Sequence, residues 1–510
     1  MNQQFRLLSI GLALCGLVAD ADDWPRFRGP AGSGIAADSE SLPSKWSPTT
    51  NVAWKVPLPG PGASSPIIVG HKVLVTCYSG YGVDRETPGE IENLVRNLVC
   101  IDVRTADKLW QKNVPASLPE DAYDKSGVSS HGYASHTPVS DGVNVYCFFG
   151  KGGVYAFDLN GNELWNAEAG KESDPPRWGS SSSPIVHENT VIVTAAAESQ
   201  SIIGFDKRSG EKRWQQYATG LDGMWGTPTL VQVDEVRTDV VMLVARELWG
   251  LDPKSGRLRW FADATSSQQA YTSVISQGDR VFAFSGEGAG SVALDIKAKE
   301  GRTDTSPVWT SSASATYGTP VRHQSKLYVV SRGILTVVDA NTGDRLEQIR
   351  LQNFKKTGNA RFGSLDYASP VVVGDRLFYL NAGGQMYVFK LREKTELLAV
   401  NEMTTETEAF WGTPAVSAGR MVVRSSTNLY CIADGIESAK THDEPIDTAD
   451  QQQFKVVPDD APLADNEKVR QREIAEDRFR KDAANANSQS APLSTDGKPE
   501  RPQRPTTAED

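Results

Sequence analysis

Short apolar runs broken by glycine, asparagine and aspartate fill the chain from about Ser64 to Asp434. The segment Thr137–Trp165 shows the pattern most clearly, reading TPVSDGVNVYCFFGKGGVYAFDLNGNELW. Asp141-Gly142, Lys151-Gly152-Gly153 and Asn160-Gly161 separate the runs Pro138–Ser140, Val143–Phe149, Val154–Leu159 and Glu163–Trp165. Turn pairs between β-prone runs of this length predict a four-stranded antiparallel meander.

The meander recurs. A Ser/Thr-Pro opens it at Ser65, Thr137, Ser183, Thr227, Thr319, Ser369 and Thr413, and Ser273-Val274 stands in the same place without the proline. Successive positions differ by 72, 46, 44, 46, 46, 50 and 44, the period of stacked repeats with one insertion in the first. A single meander cannot bury both faces, whereas meanders packed around an axis can, and the ring leaves only short edges. The expected fold is all-β, an eight-bladed propeller of four-stranded antiparallel blades over 51–436. The eighth unit, ending near Asp434, lacks an outer strand, and Asn51–Leu58 (NVAWKVPL) is expected to supply it, with Trp54 in the place of a repeated tryptophan. Residues 22–50, holding WPRFRGP, read as an extended lead-in crossing one face.

The closing half of the unit appears as CIDVRTADKLW (100–110), AFDLNGNELW (156–165), GFDKRSGEKRW (204–214), GLDPKSGRLRW (250–260) and VVDANTGDRLE (337–347). It resembles the tryptophan-docking repeat of the PQQ-like eight-bladed propellers, a family that holds quinoprotein alcohol dehydrogenases and the outer-membrane assembly scaffold BamB. Trp110, Trp165, Trp214, Trp260 and Trp309 are read as blade parts packing between neighbours. So are Asp102, Asp158, Asp206, Asp252, Asp295 and Asp339, whose carboxylates can accept turn N–H groups two residues on. Blade 7 carries Lys390 at the aspartate position, and blade 6 carries Glu347 at the tryptophan position.

Composition adds the ends and the setting. Residues 1–21 carry an apolar run from Leu7 to Val18 before Ala19-Asp20-Ala21, an export signal cleaved near Ala21 that implies a periplasmic or secreted protein. Cys15 follows Leu12-Ala13-Leu14, which makes a poor lipid-attachment signal, and no stretch is long and apolar enough to span a membrane. Residues 437–510 are rich in Asp, Glu, Lys, Gln, Pro and Ala and read as a disordered polar tail. A net charge of −11 with no basic stripe argues against a nucleic-acid partner. Cys77, Cys100, Cys147 and Cys431 remain after cleavage. Cys77 and Cys100 are expected as diagonal neighbours, open to one disulfide, with buried free thiols the favoured reading.

Candidate chemistry sits before the inner strands, where HGYASHTP, RWGSSSSP, MWGTP, AYTSV, TYGTP, LDYASP and FWGTP each place an aromatic. Tyr133, Trp178, Trp225, Tyr271, Tyr317, Tyr367 and Trp411 are therefore expected to ring one mouth of the channel, where they either pack between blades or stack a ligand or cofactor. His131, His136, Arg177, Arg361 and Asp366 break the internal symmetry beside them. Two long insertions in blade 1, Tyr78–Asn97 and Val114–Ser135, belong to the surface where function gathers. No metal site is expected, because the spacing of His131 and His136 matches no closed zinc pattern. Gly286–Gly290 reads as a tight turn and not a phosphate loop, since no helix follows it.

The resemblance implies two functions. The first is a non-catalytic exported propeller that binds a polypeptide, a cell-envelope component or a small ligand at the channel mouth. The alternative is a PQQ-dependent dehydrogenase of alcohols or polyvinyl alcohol, with PQQ on the axis and Ca²⁺ beside it. Against the alternative, no two cysteines are adjacent and no haem-attachment C-x-x-C-H occurs. No catalytic residue is identified from spacing.

Overall fold

The structure is a computed structural model that describes residues 23–510 except 37–41, 85, 124–131, 287, 300–301, 356–365, 437–439 and all of 442–510 but Phe479 and Lys481. The expected leader, the symmetry-breaking residues His131 and Arg361, and most of the expected tail lie outside the described residues. Eight antiparallel sheets follow one another in chain order. Blade 1 comprises Ile67–Val69, Lys72–Ser79, Val95–Asp102 and Lys108–Pro115. Blades 2 to 7 occupy 139–167, 185–217, 229–263, 275–311, 321–350 and 371–402. Blade 8 takes 415–433 together with Val52–Pro57, which pairs antiparallel with Asn428–Ala433.

A ring of hydroxyls explains the Ser/Thr that opens each unit. The backbone N–H of Ser65 donates to Thr137 Oγ1, that of Thr137 to Ser183 Oγ, and so on through Thr227, Ser273, Thr319, Ser369 and Thr413. Thr413 N–H then donates to Ser65 Oγ, and every link lies between 2.9 and 3.1 Å. Each hydroxyl thus satisfies a buried amide of the preceding blade, so the circle closes without an unpaired edge.

The outer seams are sealed by the tryptophans. Indole N–H groups of Trp110, Trp165 and Trp309 donate to Leu159, Lys207 and Ala340 carbonyls in the next blade. Trp54, 1% exposed, completes the series by donating to Val103 O of blade 1 at 2.8 Å. The turn glycine of the next blade is obligatory here: Gly210 has φ +75°, and a Cβ on it would lie 2.6 Å from the Trp165 ring. Trp260 departs by donating to Asp239 of its own blade. Asp102, Asp158, Asp206, Asp252 and Asp339 accept the N–H two residues on. Asp295 does not, because its hairpin runs on through Ser291–Lys299 and Arg302–Ser311; it pairs with Arg280 instead. Lys390 pairs with Asp375, and Glu347 replaces the docking tryptophan by accepting Thr395 N–H and Oγ1–H from blade 7.

The lead-in threads the axis. Trp24 pairs with Ile68 on the inner strand of blade 1, and Pro25 O accepts Ser140 N–H from blade 2. Arg26 donates to Pro228 O of blade 4 and Arg28 to Pro320 O of blade 6. Ile35–Ala36 then lies parallel to Val371–Val373 of blade 7. One segment touching the inner strands of five blades must occupy the channel, not cross a face. The four cysteines are buried free thiols. Cys77 pairs with Asn97 and Cys100 with Leu74, three positions apart and on opposite faces of the sheet, which corrects the diagonal-neighbour expectation. From the tail, Lys440–Thr441 adds a parallel strand to Val52–Pro57, and Phe479 is buried with its ring 5.0 Å from that of Trp249.

Candidate functional site at the channel mouth

Six of the seven aromatics form a continuous arc. Ring centroids are 5.5 Å apart for Trp178–Trp225, 5.0 Å for Trp225–Tyr271, 5.1 Å for Tyr271–Tyr317, 5.0 Å for Tyr317–Tyr367 and 6.5 Å for Tyr367–Trp411. All six residues are half-buried. The repeat puts five of them there: Trp225, Tyr271, Tyr317, Tyr367 and Trp411 each stand two residues before the hydroxyl of the seam, whereas Trp178 stands five residues before Ser183 and joins the arc by packing on Trp225. Trp225 is further fixed by donating its indole N–H to Gly179 O at 2.8 Å. Burial pushes the Tyr271 hydroxyl up to about 12, so the arc is uncharged at neutral pH.

Tyr133 takes no part in the arc. Its ring is buried against Tyr78 and Tyr81 beneath the blade 1 insertions, and its hydroxyl donates to Asp121 O at 2.7 Å. Arg96 lies over it at 5.9 Å and makes a two-pronged ion pair with Glu120, both contacts 2.7 Å, with side chains 3% and 2% exposed. Lys151 binds Asp121 at 3.0 Å and Ser173 Oγ at 2.8 Å. A third set runs from His136 Nε2 to Ser180 Oγ at 3.0 Å and from Ser180 Oγ–H to Glu198 Oε1 at 2.6 Å. Glu198 stands on the single helical turn Ala196–Ser199, and Gly150, with φ +60°, lets that turn approach. Burial lifts the Glu198 carboxyl to about 7, against the opposing pull of the Ser180 hydrogen bond, and its Oε2 has no partner. The cluster surrounds a cavity of about 40 Å³.

The mouth therefore has an apolar side and a polar side. The polar side can pass a proton between His136 and Glu198 through Ser180. Its cavity has room for a water or two. PQQ, a planar anionic quinone held with Ca²⁺, finds no fitting set among the described residues of the mouth. Trp225 and Tyr271 stack on one another at an interplanar angle of 14°, which leaves no slot between them. Among the described residues no three His, Cys, Asp or Glu side chains gather into a cation site.

The arc follows directly from the repeat. Arg96, Glu120, Asp121, Lys151, Ser180 and Glu198 were not singled out, since they come from unrelated places in blades 1 to 3. Glu198 alone left a trace, as a carboxylate inside the small apolar run VIVTAAAES.

A family model described as outer membrane protein assembly factor BamB matches residues 44–173 and 95–349. Among solved structures, BamB from Moraxella catarrhalis is similar at 15% identity and a TM-score of 0.52, covering 74% of this chain and 96% of its own. Quinohemoprotein alcohol dehydrogenase from Comamonas testosteroni is similar at 13% identity and a TM-score of 0.51, covering 82% of this chain and 81% of its own. No curated protein sequence matches. At these identities the structural likenesses speak for the fold alone. No helix among the described residues is long and apolar enough to cross a membrane.

Proposed function

Because the chain belongs to the PQQ-like propeller family described as outer membrane protein assembly factor BamB, we propose that it is an exported binding propeller that receives an unfolded polypeptide of the cell envelope at the aromatic arc. The observation that carries this reading is the arc itself. Six uncharged, half-buried rings in contact one after the next form an apolar track, suited to the apolar side chains of an extended chain and sequence-tolerant in the way a carrier needs. The insertions of blade 1, held down by Arg96–Glu120 and Lys151–Asp121, wall off the one side without rings. Export from a leader cleaved near Ala21 and a periplasmic location belong to the same proposal.

Fluorescence anisotropy tests it. Labelled peptides with the alternating apolar pattern of a membrane-spanning β-strand are expected to bind the purified chain, and length-matched polar peptides are not. A parallel titration with PQQ and Ca²⁺, followed by dye reduction with alcohols, covers the quinoprotein alternative. Binding of PQQ without binding of peptide returns the chain to that alternative.

A further inference from the structure

Trp249 is not one of the seam tryptophans. It stands on the strand Glu247–Leu251 of blade 4, opposite Phe261, at the place where other blades put Val99, Tyr155, Ile203 or Val292. Its indole N–H donates to Glu247 Oε2 at 2.7 Å, which leaves the ring to apolar contacts. One edge of the ring lies against the turn Thr219–Leu221, where a Cβ on Gly220 would come within 2.6 Å of it. The ring of Phe479, from the tail, packs on it at 5.0 Å and an angle of 51°. Phe479 is 6% exposed and shares one buried cluster with Trp249, Leu221 and Met224.

This seat is tied to the arc by one short connection. From Thr219–Leu221 the chain runs into Met224, which bridges to Ala270, and into Trp225, whose N–H donates to Ala270 O at 2.8 Å. The residues that follow Met224 and Ala270 are Trp225 and Tyr271, the stacked pair of the arc. Phe479 itself belongs to no blade, since the last strand of blade 8 ends at Ala433. It is flanked in sequence by Arg478 and Arg480, and residues 437–510 hold one other Phe, Tyr or Trp, Phe454. A single ring on a long polar tether makes an exchangeable contact, held by its effective concentration and not by a packed neighbourhood of its own.

We infer that the face of Trp249 is a seat for one aromatic side chain of a polypeptide, filled in the free chain by Phe479 of its own tail, which acts there as a tethered competitor. A polypeptide lying on the arc at Trp225 displaces Phe479 and sets an aromatic residue of its own against Trp249. The competitor role rests on the reading of the arc as a polypeptide track; the seat for Phe479 does not.

The test compares the full chain with its Phe479→Ala and Phe479→Trp variants, substitutions confined to the tail. In fluorescence anisotropy a labelled peptide of residues 470–488 is expected to bind Phe479→Ala, and to bind wild type and Phe479→Trp about tenfold more weakly or worse, because their own ring holds the seat. Failure to bind Phe479→Ala, or equal binding to all three, overturns the inference. A β-strand peptide with one aromatic residue should bind Phe479→Ala about tenfold more tightly than wild type, and the gain should vanish when that residue is alanine. Equal affinity for the two chains overturns the competition. If the tail peptide separates the variants while no β-strand peptide binds any of them, the reading of the arc falls and the competitor role with it, and the seat stands. Light scattering decides between one chain and two: a wild-type dimer that Phe479→Ala turns into a monomer places Phe479 on a second copy and overturns the intramolecular contact.

Discussion

The two sides of the mouth are built by opposite rules. From blade 3 to blade 8 each blade contributes one ring, five of the six at the same place in the repeat, and each ring packs on its neighbours in the arc. Between blades 1 and 3, six charged or polar groups from scattered positions lock one another in place, nearly all shielded from water. A repeated element tolerates loss of one copy, because its neighbours keep their own supports. A mutually satisfied polar network does not, because each deletion strands a partner. The polar side should therefore be the stability-critical half of the mouth and the aromatic side the binding half.

The largest expected effect lies in the Arg96–Glu120 pair. Glu120→Ala leaves a buried guanidinium without its anion and also frees Ser117 N–H, which donates to Glu120 Oε1 at 2.8 Å. A loss of about 3–5 kcal/mol is expected in urea unfolding. The apolar pair Arg96→Met with Glu120→Leu should recover most of it. If Glu120→Ala unfolds at the wild-type midpoint, the network is not what anchors the insertion.

Glu198 comes next and is read through pH. Its carboxyl titrates near 7 in the folded chain against about 4.5 when unfolded, so the folded state holds the extra proton between those values. The associated stability is full below the unfolded value and is lost as pH rises through the folded one, amounting to about 3 kcal/mol between pH 4.5 and pH 8. Glu198→Gln keeps a hydrogen-bonding oxygen for Ser180 but does not titrate. Its melting temperature should stay flatter than wild type across this range and exceed it at pH 8. Parallel curves would show that Glu198 is already ionised at the working pH.

Periodicity made the blades, the closing strand and six of the seven rings legible in the sequence. A recurring Ser/Thr-Pro marks each inner strand, and a missing outer strand at one end is matched by Trp54 at the other. Repetition also misled at Tyr133. Tyr133 stands four residues before Thr137 and not two, and within the blade 1 insertion its ring is buried against Tyr78 and Tyr81 instead of joining the arc. The channel position of WPRFRGP was hidden for a different reason: nothing local distinguishes a segment crossing a face from one entering the axis until the inner strands it meets are known. Ion pairs such as Arg96–Glu120 and Lys151–Asp121 follow no period, so their partners cannot be matched without the fold.

The smallest stability effect and the sharpest functional one are expected together, from Trp178→Ala with Trp225→Ala. Both rings are half-exposed and their mutual contact is tilted by 39°, so their loss removes one aromatic pair, the stacking of Trp225 on Tyr271 and one hydrogen bond to Gly179 O. That should cost about 2 kcal/mol in unfolding, less than Glu120→Ala, because the hydroxyl seam beneath the rings is untouched. Affinity for a β-strand peptide, in contrast, should fall about 30-fold or more if these indoles are the anchors of the track. Measured on one preparation, the two numbers separate packing from recognition. A variant that melts far below wild type yet binds the peptide with unchanged affinity would make the arc a structural collar and move the binding surface to the other half of the mouth.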